Sequence, residues 1–370
     1  MRILFVGGGT GGHIYPALAV ADAVKKAMPD CEILFAGTPF GMEARIVPQA
    51  GYNFTPIKVH GFQRKITPEN IVKNVQACFY LATSLPQARR IIKDFKPDIV
   101  FGTGGYVCGP ILRAAAKMGI KTAVHESNAY PGMTTRLLSK LVNVVMLPNE
   151  TARKHLDEGV NCVITGNPLR GQISQKSRES ARIELKLDGG MTILSYGGSL
   201  GAGGINDAML DLMVWEQKKG DINHIHGYGG MGKDSFIPDL RARGVQIKGN
   251  KRLDVREYID NIGVCMAAAD LVISRAGAMT LAEIQAVGRA SILIPSPIVA
   301  ENHQYHNALV LENKGAAIVV EQKNLTSQRM IEIVEELYNN REKLTQMSQN
   351  AKSMAVTDAV TNILGVLMNL

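Results

Sequence analysis

Short apolar runs alternate with stretches of helical period along nearly the whole chain. In the first half the runs are Ile3–Val6, Glu32–Ala36, Phe54–Val59, Asp98–Phe101, Thr122–Val124, Val144–Leu147 and Cys162–Thr165. Helical stretches separate most of them, so the spacing predicts βα units and a mostly parallel sheet. After Gly166-Asn-Pro-Leu-Arg170 the chain turns polar through Gln172–Arg178, and a second series begins. Its runs are Thr192–Tyr196, Asn223–His226, Val245–Lys248, Leu271–Ile273, Ser291–Ile294 and Ala317–Val320. From Ser327 the pattern is helical, and its last helix is Ala359–Met368. This break predicts two α/β domains, 1–165 and 166–357, each a doubly wound parallel sheet. Such sheets bind ligands at the carboxyl ends of their strands, so the loops after strands are where chemistry is expected.

The most informative of these loops is Ser274-Arg-Ala-Gly-Ala-Met-Thr-Leu-Ala-Glu-Ile284. It follows the run Leu271–Ile273 and turns through Gly277 into a helix carrying Leu281, Ile284 and Val287. A strand, a small-residue turn and a helix start leave several backbone N–H groups at one spot. Those groups and the helix dipole favour an anion. Glu283, about one and a half turns into the helix, suits paired hydroxyls such as those of a ribose. Anion and diol together suggest a nucleotide; the alternative is an ordinary βα turn with a solvent-facing glutamate.

Other loops repeat the design. Gly7-Gly-Gly-Thr-Gly-Gly-His13 follows the first strand and opens the first helix. It matches G-x-G-x-x-G, but the second strand ends Phe35-Ala-Gly-Thr38 without the acid that dinucleotide binding wants. Nor does Gly12-His13-Ile14 supply the G-K-[ST] of a P-loop. His13, at the helix start, is placed to face a crevice. Gly102-Thr-Gly-Gly-Tyr-Val-Cys-Gly109 is a second glycine loop, whose Tyr106 can stack on or cap a ligand. His125-Glu-Ser-Asn128 sets two titratable groups and an amide at a strand end, which suits acid–base work or a hydrogen-bonded loop cluster. Tyr196-Gly-Gly-Ser-Leu-Gly-Ala-Gly-Gly-Ile-Asn206 repeats the glycine loop in the second half. Gln304 and Asn307 share a helical face and read sugar hydroxyls well. His303 and His306 are spaced for a metal, but no third ligand is in view, and no metal is expected.

Composition narrows the setting. Hydrophobic residues make up 46% with mixed charge, which fits a globular protein. No apolar run reaches the roughly 18 residues of a membrane span. The chain enters a strand at Arg2-Ile-Leu-Phe-Val6, which leaves no room for a signal peptide. Five scattered cysteines without a C-x-x-C point to a reducing compartment and away from a zinc site. Residues 1–165 hold 19 Lys and Arg against 11 Asp and Glu, whereas 166–370 hold 22 of each. A basic first half suits a polyanion, either nucleic acid or an anionic membrane surface. Within it, Arg64, Lys65, Lys73, Arg89, Arg90 and Lys93 ring Ile71, Val75, Phe79, Leu81 and Leu85. That segment suits a surface dipping into an anionic bilayer or a core-facing helix with a solvated basic face.

Taken in order, these motifs resemble one family. They are Gly8-Gly-Thr-Gly-Gly-His13 with Pro16, His125-Glu126 with Asn128, Gly166-Asn-Pro168 with Arg170, and Gly197-Gly-Ser199. Ser274-Arg-Ala-Gly-Ala278 with Glu283, and Gln304 with Asn307, complete the set. The set resembles the MurG family, glycosyltransferase family 28, which makes lipid II in bacterial peptidoglycan synthesis. The family pattern Gly-Gly-Ser-Gln-Gly-Ala here carries Leu200 in place of the glutamine, and His-Glu-Gln-Asn carries Ser127. Both departures bear on contacts to pyrophosphate or sugar.

The resemblance implies a GT-B fold: two Rossmann-like doubly wound domains facing across a cleft, with the last helix, about 358–370, packing back on the first. It implies inverting transfer of GlcNAc from UDP-GlcNAc to the muramoyl 4-hydroxyl of lipid I. No cofactor or metal is expected. The partners would be UDP-GlcNAc, lipid I and an anionic membrane surface rather than nucleic acid, with the enzyme peripheral on the cytoplasmic face. Donor contacts would come from Thr10, Gly11 and Gly12 lining the cleft beside the acceptor diphosphate, and from Asn128, Arg170, Ser199, Arg275 and His303. The turn Gly277, Ala278, Met279 and Thr280 would hold the diphosphate, Glu283 the ribose, backbone at Ile259 the uracil, and Gln304 and Asn307 the sugar. Gly104, Gly105 and Tyr106 would face the acceptor. His13 is the expected general base, because an imidazole titrates near working pH, and Glu126 is its rival. Three alternatives remain: transfer to another acceptor, UDP-sugar epimerisation, and an RNA-binding adaptor without catalysis.

Overall fold

The alternating runs become the strands of two all-parallel sheets. The computed structural model describes residues 1–61, 67–169, 176–198 and 200–370, with every side chain in them apart from 68–79, 81 and 82. Two compact units divide the chain: Met1–Arg170 with Thr357–Leu370, and Gly171–Val356. Two doubly wound parallel-sheet domains are what the pattern predicts.

In the first unit the strands are β1 (Arg2–Val6), β2 (Glu32–Gly37), β3 (Asn53–Pro56), β4 (Ile99–Gly102), β5 (Lys121–His125), β6 (Val144–Leu147) and β7 (Cys162–Ile164). They lie in the order β3-β2-β1-β4-β5-β6-β7. The helices between them are α1 (Gly11–Ala27), α2 (Glu43–Gln49), α3 (Pro68–Phe95), α4 (Cys108–Lys117), α5 (Met133–Leu138) and α6 (Glu150–Arg153). Side chains alternate across β1. Ile3 and Phe5 enter one core layer with α1, and Leu4 and Val6 enter the other with α4. A parallel sheet must be covered on both faces, and this alternation does it. β3 ends at Pro56, short of the predicted Val59: Ile57 N–H still donates to the Gly37 carbonyl, but the Pro56 carbonyl and Lys58 N–H pair with the Gln87 side chain, and Ile57 and Val59 stay buried.

The second unit holds β8 (Met191–Tyr196), β9 (Ile222–Gly227), β10 (Leu253–Arg256), β11 (Leu271–Ser274), β12 (Ala290–Leu293) and β13 (Ala317–Val319), in the order β10-β9-β8-β11-β12-β13. Helices α7 (Arg178–Glu184), α8 (Gly203–Lys219), α9 (Gly229–Gly232), α10 (Phe236–Ala242), α11 (Ile262–Ala268), α12 (Ala278–Val287), α13 (His303–Glu312), α14 (Ser327–Asn339) and α15 (Arg341–Ser353) cover it. One strand was misplaced by the pattern. Val245–Lys248 is loop, and β10 comes later, as the edge strand paired only with β9. Its Leu-Asp-Val-Arg alternation belongs to a half-buried edge, whereas a continuous apolar run marks a central strand.

The last helix, α16 (Ala359–Met368), belongs to the first unit and packs on α1. Ala359, Ile363 and Leu367 are buried one turn apart, and the last two join the β1–α1 core layer. Burying an aliphatic side chain of that size contributes about 1.5–3 kcal/mol. Asn362 Nδ2 reaches the Thr165 carbonyl and adds a polar tether.

In both sheets the strand order reverses direction beside the first strand, between β1 and β4 and between β8 and β11. Those are the switch points where doubly wound sheets open a crevice. The glycine loops after these four strands are therefore brought together in pairs.

Candidate active site

The first-unit crevice is built on His13. Its Nδ1 lies 3.0 Å from the Gly8 carbonyl oxygen, with Thr10 Oγ1 at 3.4 Å. A carbonyl only accepts, so Nδ1 is the donor, and in the neutral imidazole the lone pair is on Nε2. Thr103 Oγ1 donates to the His13 carbonyl at 2.7 Å and ties the helix start to the loop after β4. Gly104 (φ +104°) and Gly105 (φ +83°) form the wall behind the imidazole. A Cβ on Gly104 would sit 2.9 Å from His13 Cδ2, and one on Gly105 only 2.5 Å from the Gly8 oxygen. Glycine is required there both for the positive φ and for the close approach. Tyr106 is half-exposed at the rim, and burial pushes its phenol pKa up, with Glu43 adding to the rise. Gly9, Thr38, Phe40, Lys58, His60, Tyr80 and Tyr106 line a cavity of about 390 Å³ beside this loop.

Within the His125–Asn128 cluster, His125 and Glu126 are spent on structure. His125 is fully buried, donates from Nε2 to the Gly166 carbonyl at 2.9 Å, and has its pKa lowered by burial. Glu126 accepts from Asn128 N, Asn128 Nδ2, Gly132 N and Thr135 Oγ1 at 2.7–3.0 Å. Four donors occupy the four lone-pair sites of a carboxylate, which leaves no site for an incoming hydroxyl. Glu126 therefore shapes the 126–135 loop and holds Asn128.

The second-unit crevice is a cavity of about 570 Å³ between the loops after β8 and β11. Gly197, Gly198, Arg275, Gly277, Thr280, Gln304 and Gln322 line it, with Leu200, Met231 and Ile298 at its margin. No side chain caps the start of α12 at Gly277, so its first-turn N–H groups are left for a ligand. Arg275 donates to the Ile294 and Pro295 carbonyls at 3.1 and 3.2 Å and to Gln322 Oε1 at 2.6 Å. All three acceptors are neutral, so the positive charge is held in place without being cancelled.

Glu283 is partly buried rather than solvent-facing, and desolvation pushes its carboxyl up to about 7. Tyr196 lies beside it and Thr280, its phenol pushed up by burial and by Glu283. Gln304 Oε1 accepts from Ser296 N at 2.8 Å, leaving its amide NH₂ to work with. Asn307 is buried and donates to the Ala276 carbonyl at 3.3 Å, which makes it a brace for the Arg275–Gly277 loop. The Ile259 side chain packs over Gly227 in the core, so only its backbone is available to a ligand. His303 Nδ1 donates to the Ala300 carbonyl at 2.8 Å. Among the described residues no three His, Cys, Asp or Glu side chains gather into a metal site. Arg170 and Ser199 lie outside the described residues.

Residues 3–147 match the glycosyltransferase family 28 N-terminal domain, and residues 192–363 match the C-terminal domain of the same family. A relative from Acetivibrio thermocellus is 43% identical over all of this chain and 98% of its own length. One from Desulforamulus reducens is 40% identical over 98% of this chain and 97% of its own. The chain belongs to glycosyltransferase family 28. Both relatives carry the name UDP-N-acetylglucosamine–N-acetylmuramyl-(pentapeptide) pyrophosphoryl-undecaprenol N-acetylglucosamine transferase. The crystal structure of Acinetobacter baumannii MurG is similar, with a TM-score of 0.78 at 28% identity over all of this chain and 99% of that one. UDP-GlcNAc 2-epimerase from Neisseria meningitidis aligns with a TM-score of 0.67 at 15% identity, a likeness of fold alone.

The family 28 fold is GT-B, and its two Rossmann-like sheets account for the paired glycine loops. Two site residues carry no motif in the sequence: Glu43 sits under the first glycine loop, and Gln322 holds Arg275. Tyr196 opens the second-half glycine loop, and only the fold shows that it flanks Glu283. Gln322 follows the last strand of its sheet, so the rule of looking after strands could have found it. Glu43 opens α2 from a loop with no glycine-rich signature of its own.

Proposed function

We propose that this family 28 enzyme transfers GlcNAc from UDP-GlcNAc to the muramoyl 4-hydroxyl of lipid I, releasing UDP and forming lipid II. The observation that carries this reading is the second-unit cavity, where an uncancelled guanidinium and an uncapped helix start meet, with the Glu283 carboxyl one turn along α12 from the lining residue Thr280. These three groups match diphosphate charge and ribose hydroxyls. The names of relatives at about 40% identity over the full chain support the choice of sugar and acceptor.

The donor is assigned to the second unit and the acceptor to the first. His13 Nε2 takes the proton of the acceptor hydroxyl as its oxygen attacks the anomeric carbon from the face opposite the diphosphate. The carbon–oxygen bond to UDP breaks in the same displacement, so the α-linked donor gives a β-linked product. The α12 N–H groups and Arg275 take up the charge gathering on the departing diphosphate, with Ser199 and Arg170 as further candidates. Glu283 holds the ribose, Ile259 backbone the uracil, and Gln304 and Asn128 the sugar. On this reading no metal is needed. Among the described residues no helix is long and apolar enough to cross a membrane. The lipid-linked acceptor and the basic first half support peripheral attachment at the cytoplasmic face.

The test is UDP release from UDP-GlcNAc with a soluble lipid I analogue, with and without EDTA. Release that requires the analogue and ignores EDTA is expected. Release without acceptor would favour epimerisation or hydrolysis, and UDP binding without turnover would overturn the acceptor assignment. Substituting His13→Ala should cost roughly 10²–10⁴-fold in turnover with donor binding little changed.

A further inference from the structure

Glu43 is fully buried beneath the first glycine loop. Its Oε2 accepts from Gly9 N–H at 3.1 Å, and its Oε1 accepts from Thr38 N–H at 2.9 Å and Thr38 Oγ1–H at 2.6 Å. Each of these donors is neutral. A Cβ on Gly8, Gly37 or Gly41 would run into the Glu43 side chain, so the last residue of β2 and two loop glycines close over one carboxylate. An arrangement this crowded around a buried charge calls for a reason beyond packing.

The Gly9 N–H and the Gly8 carbonyl belong to the same peptide group. That group is planar, and its N–H and C=O point in opposite directions. Glu43 holds the N–H end, and the carbonyl end receives the Nδ1–H of His13 at 3.0 Å. Fixing one end fixes the other. Gly9 has φ +86°, within a run of glycines whose backbone otherwise turns easily. A flipped Gly8–Gly9 peptide would aim its carbonyl at the carboxylate and its N–H at His13, and the charge on Glu43 forbids it. Hydrogen bonds in series also polarise one another. The carboxylate therefore strengthens the carbonyl as an acceptor and stabilises the imidazolium that forms when Nε2 takes a proton.

We propose that Glu43 is a positioning residue that sets the tautomer and basicity of His13 through the Gly8–Gly9 peptide. This rests on the reading of His13 as the general base. The same carboxylate anchors Thr38, which lines the adjoining cavity together with Tyr106, so one buried group fixes both His13 and a wall of that cavity.

Glu43→Gln keeps the shape but sets an amide NH₂ against the Gly9 N–H or the Thr38 donors. In the full-length enzyme it should lower kcat for acceptor-dependent UDP release roughly 10–100-fold, leave the donor KM within about twofold, and move the acidic limb of the kcat profile to lower pH. A folded Glu43→Gln enzyme with kcat within twofold and an unmoved limb would overturn the proposal. A second measurement holds even if that variant does not fold. Selective ¹⁵N-histidine NMR of the wild-type protein, with His13→Asn to assign the signal, should find Nδ1 protonated and Nε2 bare near neutral pH. The opposite tautomer would overturn the proposal. The controls separate the two readings. If His13→Asn turns over normally, the assignment of the base fails, whereas an inactive His13→Asn with an active Glu43→Gln removes Glu43 alone.

Discussion

At the scale of single residues, Glu283 makes the sharpest statement about pH. Its carboxyl titrates near 7 because burial penalises the charged form. A folded value raised above the unfolded one means extra stability that is fully present below about pH 4.5 and lost as pH rises through about 7. Glu283→Gln has no such slope. Urea unfolding without ligand should therefore find the variant gaining roughly 1–3 kcal/mol on the wild type between pH 4.5 and 8. An unchanged gap across that range would show that the carboxyl is not desolvated. Ligand binding should run the other way. Two ribose hydroxyls need an ionised acceptor, so UDP-GlcNAc should bind the wild type more weakly as pH falls below 7. Glu283→Ala should weaken binding about 10–100-fold, the range for hydrogen bonds to a charged group. Titration calorimetry at pH 6 and 8 would read both effects.

At the scale of elements, α16 carries the next prediction. Ile363 and Leu367 are fully buried in the core layer that β1 and α1 share. Ile363→Ala should cost about 2–5 kcal/mol, and the cost belongs to the first unit. Trp215, the single tryptophan, lies in α8 against the second-unit core. The far-UV circular dichroism of the variant should develop an early urea transition while the Trp215 fluorescence midpoint stays in place. A joint shift of both signals would mean that the units unfold as one. Elements of this kind were legible in the sequence because they repeat. Central strands are continuous apolar runs, and α16 is buried at every fourth residue. The edge strand β10 was not, since charge alternates along it. The site was legible where one loop carries its own signature, as around His13 and Gly277. It was not legible where function depends on pairs distant in sequence. Glu43 reaches a backbone N–H 34 residues away, and Gln322 reaches a guanidinium 47 residues away. Glu126 misled for a related reason: its four donors, three residues among them, come from a loop whose path no periodicity announces.

At the scale of the whole molecule, the uneven charge becomes a statement about where the enzyme works. The net charge of +8 lies within residues 1–165, and the rest is neutral. In the C-terminal part of α3, Ala88 and Ile92 are buried while Arg89, Arg90 and Lys93 are exposed. There the amphipathic pattern serves the core and its basic face is solvated. The side chains of Ile71, Lys73, Val75, Phe79 and Leu81, and Arg64 and Lys65, lie outside the described residues. A solvated basic face still attracts an anionic surface, at about 1 kcal/mol per cation near the bilayer, within a Debye length of about 10 Å at 0.1 M salt. The full chain should therefore sediment with phosphatidylglycerol vesicles and not with phosphatidylcholine vesicles. Raising salt from 0.05 to 0.5 M should weaken that binding tenfold or more. Replacing Arg89, Arg90 and Lys93 together by glutamine should weaken it by a similar factor while leaving turnover of a soluble lipid I analogue unchanged. That separation is the decisive part, because on the proposed reading these side chains act on the surface that delivers the acceptor and not on the sugar transfer itself. Binding indifferent to salt, or equal on both lipids, would assign the basic excess to something other than the membrane. Salt-dependent capture of RNA instead would return the first half to the nucleic-acid reading that its charge alone had left open.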